Sequence, residues 1–233
     1  MKRLVTPGLM LVLVLTAVAT VPQQQAHGQS AGLVSSVLAK LQKNHETLKT
    51  LRASVFMEKY DARLREKDNY NGIVLYMPGV GKNAFLRLEW SSPQHEILGV
   101  ANGKYTLYRP HIGQVYQGTT GGTGPGHDSE LLSMLSMSST ELQNRFQPFQ
   151  EARVESLGDG VTATHLKLIP LKAMSFKYAE VWVDETGMPV MTKIVEKNGD
   201  ATTIRLTNLE KNRTVSRKEF DVSYPSTAKV IKA

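Results

Sequence analysis

The chain has 233 residues, 41% of them hydrophobic and 21% charged, which suits one globular domain with a sizeable core and excludes a fibrous or disordered polypeptide. It contains no cysteine, which excludes disulfide scaffolding, thiolate metal sites, a cysteine nucleophile and a lipid anchor on cysteine. Lys and Arg outnumber Asp and Glu by 28 to 21, and in an exported protein a formal charge of +7 speaks for solubility or contact with anionic lipid rather than nucleic acid.

The chain opens with the parts of a cleavable signal peptide. Lys2 and Arg3 form the basic start, Leu9 to Val21 the apolar stretch, and Ala26-His27-Gly28 a small-x-small site before Gln29. Ala17-Val18-Ala19 is a second such site, and the apolar run is shorter than the roughly 20 residues a membrane-spanning helix needs. Residues 1–28 are therefore expected to be removed, leaving one domain over 29–233 with a charge of +5, since Lys2 and Arg3 are the only charged residues lost.

Residues 31–49 predict a helix, with Leu33, Val34, Val37, Leu38, Leu41 and Leu48 recurring at three and four and lysines on the other face. From Leu51 the period changes to two. Strands are expected over 51–60, 71–77, 84–90, 97–101 and 104–109, with a charged loop over 61–69 and a hairpin turn at Asn102-Gly103. In the third of these, Leu86, Leu88 and Trp90 share one face, and Phe85, Arg87 and Glu89 the other. Further strands are expected over 153–157, 162–169, 178–184, 189–197 and 202–209, again at hairpin spacing with no crossover helix between them.

One interruption breaks this meander. Residues 118–127, GTTGGTGPGH, read as a hinge, followed by two short helices. Asp128 is placed to cap the first, which carries Leu131, Leu132, Met134, Leu135 and Met137, and Ser138 with Glu141 forms a capping box for the second. The glycine run lacks the Gly-Lys-Ser/Thr ending of a phosphate-binding loop.

No catalytic constellation emerges. There is no Gly-x-Ser-x-Gly elbow, the six histidines form no pair at metal-ligand spacing, and Glu89, Glu180 and Asp184 read as solvent faces of strands. The expectation is a non-enzyme with no metal and no cofactor. The sheet itself poses the question, because its apolar face is longer than three helices can cover. Either the core closes tightly, or a cavity remains between sheet and helices. In the second case each buried methylene of a ligand gains about 0.8 kcal/mol.

The run "FLRLEWSSPQHEILGVANGKYTLYRPHIGQVY" carries Arg87, Glu89, Trp90, Ser92-Pro93, Asn102-Gly103-Lys104, Tyr108 and Pro110 in a characteristic order. With "AEVWVDETGMPVMTKIVEKNGDATTIRLTNLEKN" and the ending "FDVSYPSTAKVI", it resembles the family of the periplasmic outer-membrane lipoprotein carrier LolA over most of the chain. The resemblance implies an α+β fold, mainly antiparallel β, in which a single curved sheet forms an open half-barrel lidded by the N-terminal helix and the mid-sheet helices. It implies a periplasmic carrier that holds the acyl chains of a lipoprotein or lipid in transit from inner to outer membrane. The partners implied are an inner-membrane exporter, an outer-membrane acceptor and transient contact with the membrane surface, with the protein a monomer.

On this reading the lipid-binding cavity takes Leu86, Leu88, Trp90 and Leu107 from the sheet and Leu131, Leu132, Met134 and Leu135 from the lid. Two departures stand out. The family's Lys-Arg-Pro turn is replaced by "YMPGVGKNAF", where Lys82 is the candidate latch cation, and a tryptophan of the hairpin strand is replaced by Thr106. The alternative function is a lipid-responsive sensor or regulator that binds a membrane protein partner.

Overall fold

The computed structural model describes residues 25–79, 83–120, 129–149 and 152–232. The expected leader up to Gln24, the candidate cation Lys82 and most of the glycine hinge with Asp128 lie outside them.

Helix α1 (Gln25–Thr47) buries Val37, Leu38 and Leu41, the stripe that the three-and-four spacing predicts. The chain leaves the helix through a side chain from far along the sequence. Asn212 Oδ1 accepts the Lys49 N–H at 2.7 Å, and the Thr50 hydroxyl donates to the Arg213 carbonyl at 2.6 Å. Strand β1 (Leu51–Asp61) then alternates buried and half-buried side chains through its first seven residues.

Strand β2 (Glu66–Met77) pairs with β1 in unbroken antiparallel register, from Leu51 opposite Tyr76 to Asp61 opposite Glu66. The charged loop expected over 61–69 is therefore only a tight turn. Asp61 Oδ1 accepts the N–H groups of Arg63 and Leu64, Arg65 takes a positive φ of 58°, and a Lys67–Glu58 ion pair of 3.0 Å holds the strands beyond it. A polar hairpin exposed on both sides shows no apolar alternation, which is why the sequence pattern reads as loop.

Strands β3 (Phe85–Ser92), β4 (Glu96–Ala101), β5 (Lys104–Arg109) and β6 (Gln114–Thr119) extend the sheet as a meander. Asn102 and Gly103 both have positive φ, 51° and 72°, as the two-residue turn requires. After the short helices α2 (Ser129–Leu135) and α3 (Ser139–Arg145), the chain adds β7 (Ala152–Ser156), β8 (Thr162–Leu168), β9 (Phe176–Asp184), β10 (Pro189–Glu196) and β11 (Ala201–Lys211).

The two meanders join where β11 pairs with β1. With β12 (Lys229–Lys232) this gives a twelve-strand sheet in the order β12-β6-β5-β4-β3-β2-β1-β11-β10-β9-β8-β7. The sheet does not close, since β7 and β12 are its two edges. It is antiparallel throughout except for β12, which pairs with β6 in parallel. This is the mainly antiparallel sheet that the sequence leads one to expect, with one parallel pair at its edge. A parallel partner needs a long return connection, and here residues 212–228 supply it.

That connection crosses the outer face of the sheet. A short 3-10 turn, Arg217–Phe220, brings Phe220 to 5.6 Å from the Phe85 ring, and the Asp221 carbonyl accepts a hydrogen bond of 2.6 Å from Arg87. A Cβ on Gly99 would lie 2.7 Å from the Phe220 carbonyl oxygen, so glycine there lets the strap lie on the sheet. Thr106 is the cross-strand partner of Gly99 and shares that outer face. The departure at Thr106 thus falls outside the concave interior.

Candidate functional site: the seam beneath the short helices

Three helices cover the concave face, and they divide it into two packed clusters. Helix α2 contributes Leu131, Met134 and Leu135 to the first, against Leu86, Leu88, Trp90 and Leu107 of β3 and β5 and the inward residues of β1, β2, β10 and β11. Helices α1 and α3 make the second. Val37, Leu38, Leu41, Leu142 and Phe146 pack on Leu166 and Leu168 of β8 and on Ala179, Val181 and Val183 of β9.

Members of both clusters border one open space. A cavity of about 300 Å³ lies under α2 and α3 and over β8 to β10. That is the lower end of the range for small-ligand pockets, roughly 300–1,000 Å³. Its apolar wall is Met134 and Met137 from the first helix region, Leu142 and Phe146 from the second, and Leu168, Phe176, Ala179 and Ile194 from the sheet. Methionine suits a wall that must fit chains of variable shape, because its thioether side chain adapts at little strain. The polar edge includes Thr192, whose hydroxyl contacts Met134 Sδ at 3.6 Å, and the Glu141–Arg145 pair at 2.7 Å.

That pair also corrects the expected capping box. Ser138 Oγ accepts the Glu141 N–H at 3.2 Å, as predicted, but the Glu141 carboxylate turns along the helix to Arg145 instead of back to the cap. Helix α3 is held to α1 by the Ser139 hydroxyl donating to Gln42 Oε1 at 2.8 Å. Helix α1 in turn sits on the β9–β10 turn, where a Cβ on Gly187 (φ 83°) would come within 2.1 Å of the Lys40 carbonyl oxygen. The cavity roof is thus anchored to the sheet through α1.

The structure places the eight residues chosen from the sequence together. Leu86, Leu88, Trp90, Leu107, Leu131, Met134 and Leu135 are buried in the first cluster, and Leu132 is half-buried against it. Of the eight, only Met134 lines the cavity. The residues missed by sequence reasoning are those of β8 to β10 and α3. Their signal was present in the period-two runs 162–169 and 189–197, but nothing in a sequence says which inward face stays uncovered.

A second group of ionisable residues lies on β7 to β9, and it adjoins the cavity through Glu180, which lines it. The Trp182 indole N–H donates to Glu155 at 2.6 Å and its ring stacks on His165 with centroids 4.3 Å apart. That indole hydrogen bond, with Arg153 and His165 adding to it, holds the Glu155 carboxyl below the usual carboxylate range. Glu180, read from the sequence as a solvent-facing residue, lies 3.7 Å from His165 Nε2. Among the described residues no cluster of His, Asp or Glu could hold a metal ion.

The fold is an open, mainly antiparallel sheet whose concave face is covered by helices and holds a partly apolar cavity. The family model described as outer membrane lipoprotein carrier protein LolA matches residues 84–223, more than half of the chain, and the chain belongs to that family. No curated protein matches the chain.

Among solved structures, an uncharacterized conserved protein from Thermus thermophilus is similar at 14% identity and a TM-score of 0.51, over 86% of this chain and 99% of that one. MucB, known also from the Pseudomonas aeruginosa MucA/MucB complex, is similar at 10% identity and a TM-score of 0.50, over 88% of this chain and 66% of its own. The Mycobacterium tuberculosis lipoprotein LppX is similar at 14% identity and a TM-score of 0.48, over 80% and 98%. At these identities the likeness is one of fold.

Proposed function

We propose that this protein is a periplasmic carrier that binds the acyl chains of a lipoprotein or lipid and moves them between inner and outer membrane. One observation carries the reading: the apolar cavity of about 300 Å³ at the seam between the two clusters, roofed by two seven-residue helices. Each methylene that enters it from water gains about 0.8 kcal/mol, and the charged side chains of Glu130, Glu141, Arg145, Glu180 and Glu196 line the same cavity beside its apolar wall. Family membership agrees with this cargo. Short helices depend on tertiary packing for their stability, so the roof can shift to admit a chain longer than the resting cavity holds. The expected leader supplies the periplasmic address, and an inner-membrane exporter and an outer-membrane acceptor complete the route.

The test is direct. Protein purified from the periplasm is extracted for lipid, and the delipidated protein is titrated with a fluorescent fatty acyl probe. Acylated species in the extract and saturable uptake support the reading; an extract without acylated species and a protein without uptake would overturn it. A regulator that docks on a membrane protein is the second reading, favoured by the fold shared with MucB, which is solved in complex with MucA. A stoichiometric protein partner recovered from membranes would favour it over the carrier.

A further inference from the structure

Six cations gather in a place apart from the cavity. Two pockets, of about 350 and 340 Å³, adjoin at the segment from Lys211 to Arg213, at the end of β11. Lys40, Lys43 and Lys211 line one, and Arg52, Arg87 and Arg213 line the other. Against these six cations stand three acids, Glu185 in the first and Glu89 and Glu219 in the second.

Two of those acids are already engaged. Glu89 is taken by Arg87 at 3.2 Å and His95 at 3.1 Å, and the Glu219 carboxylate accepts the Ser216 N–H at 2.8 Å. Lys40, Lys43 and Arg52 make no ion pair among the described residues. The segment that carries the cations is fixed. Asn212 and Arg213 are bonded to Lys49 and Thr50 by three hydrogen bonds, so little order is lost when an anion is engaged. Beside Arg52, the arginine pocket also offers Ile73, 46% exposed, as an apolar foot.

We infer that this end of the sheet docks on an anionic phospholipid surface, with lipid phosphates taken by the Arg52–Arg213 and Lys40–Lys43–Lys211 groups and Ile73 reaching the headgroup boundary. Guanidinium groups match phosphate oxygens as paired donors, and each basic group near an anionic leaflet strengthens binding about fivefold. Arg213 is held by Glu210 at 3.2 Å, and Glu210 is also the cross-strand partner of Arg52. The charge excess here therefore rests on Lys40, Lys43 and Arg52, unpaired among the described residues, which are the complement such a surface requires. The inference does not rest on the cavity reading, since the two sites share no lining residue.

Co-sedimentation with phosphatidylcholine vesicles, with and without phosphatidylglycerol, tests it. Binding is expected only with phosphatidylglycerol and should weaken with salt. Arg52→Gln/Arg213→Gln should lose about 25-fold, while Lys172→Gln/Lys177→Gln, exposed lysines near the opposite end of β9, should stay within about threefold of the parent. Equal loss in both pairs, or equal binding to both vesicles, overturns the inference. Displacement by glycerol phosphate in solution also overturns it, because the site would then be one for a soluble phosphate. Acyl-probe uptake by the Arg52→Gln/Arg213→Gln protein is expected to match the parent, which separates lost docking from lost folding. Absence of uptake in the parent itself would count against the carrier alone.

Discussion

The two halves of the concave face are built from the same period-two strands yet end differently. Under α2, the inward residues of β1 to β5 meet Leu131, Met134 and Leu135 and leave Leu86 and Leu88 fully buried. Under α3 and the adjoining side of α2, the inward residues of β8 to β10 meet a helix whose only buried member is Leu142, and a cavity remains. The difference lies in the lids. Helix α2 presents four large apolar side chains in seven residues, whereas STELQNR presents one. A well-filled half supports the fold, and a poorly filled half is free to hold a ligand.

The largest effects should come from the filled half. Leu88→Ala is expected to cost about 2–5 kcal/mol in urea denaturation, with acyl-probe affinity of the folded protein unchanged. Gly187→Ala puts a side chain on a φ of 83° and against the Lys40 carbonyl, so a loss of about 3 kcal/mol is expected as α1 is displaced. Because α1 anchors the roof, this variant should also weaken probe binding, which Leu88→Ala should not. If both variants alter binding alike, the division of the face is wrong.

Acid should act first on the β7–β9 cluster. The Glu155 carboxyl is held low in the folded protein, chiefly by the Trp182 indole. A depressed folded-state value means its contribution is fully present above the ordinary carboxylate range and is lost as pH falls below that range and through the lowered folded-state value. Trp182→Phe should raise the Glu155 midpoint in an NMR titration and remove part of the acid dependence of stability. The smallest effect is expected at Tyr105, whose hydroxyl is buried with no hydrogen-bond partner among the described residues. Tyr105→Phe should raise stability by no more than about 1 kcal/mol, read from the urea midpoint.

Much of this comparison was legible in the sequence. The alternation of Leu86, Leu88 and Trp90, the Asn102-Gly103 turn and the spacing of α1 each follow from local rules, and each stands in the structure. What was not legible depended on pairing across distance. Strand β6 reads as half-polar because the C-terminal strap, not solvent, covers part of its outer face through Tyr224, which accepts from Gln117 and stacks near Tyr108. Strand β12 has only Val230 and Ile231 to announce it. The cavity wall was hidden for a similar reason, since an inward apolar residue looks the same in sequence whether or not a lid reaches it.

A variant that fills the seam separates a ligand held there from one held elsewhere. Ile194→Trp adds bulk where Met137, Phe176 and Ile194 border the space, at a stability cost of about 1–3 kcal/mol for overpacking. Native mass spectrometry of the periplasmic protein should show adducts of acyl-lipid mass on the parent and a bare chain for the variant, with probe affinity reduced more than tenfold. Equal adducts and equal uptake by both proteins would place the ligand elsewhere and contradict the account.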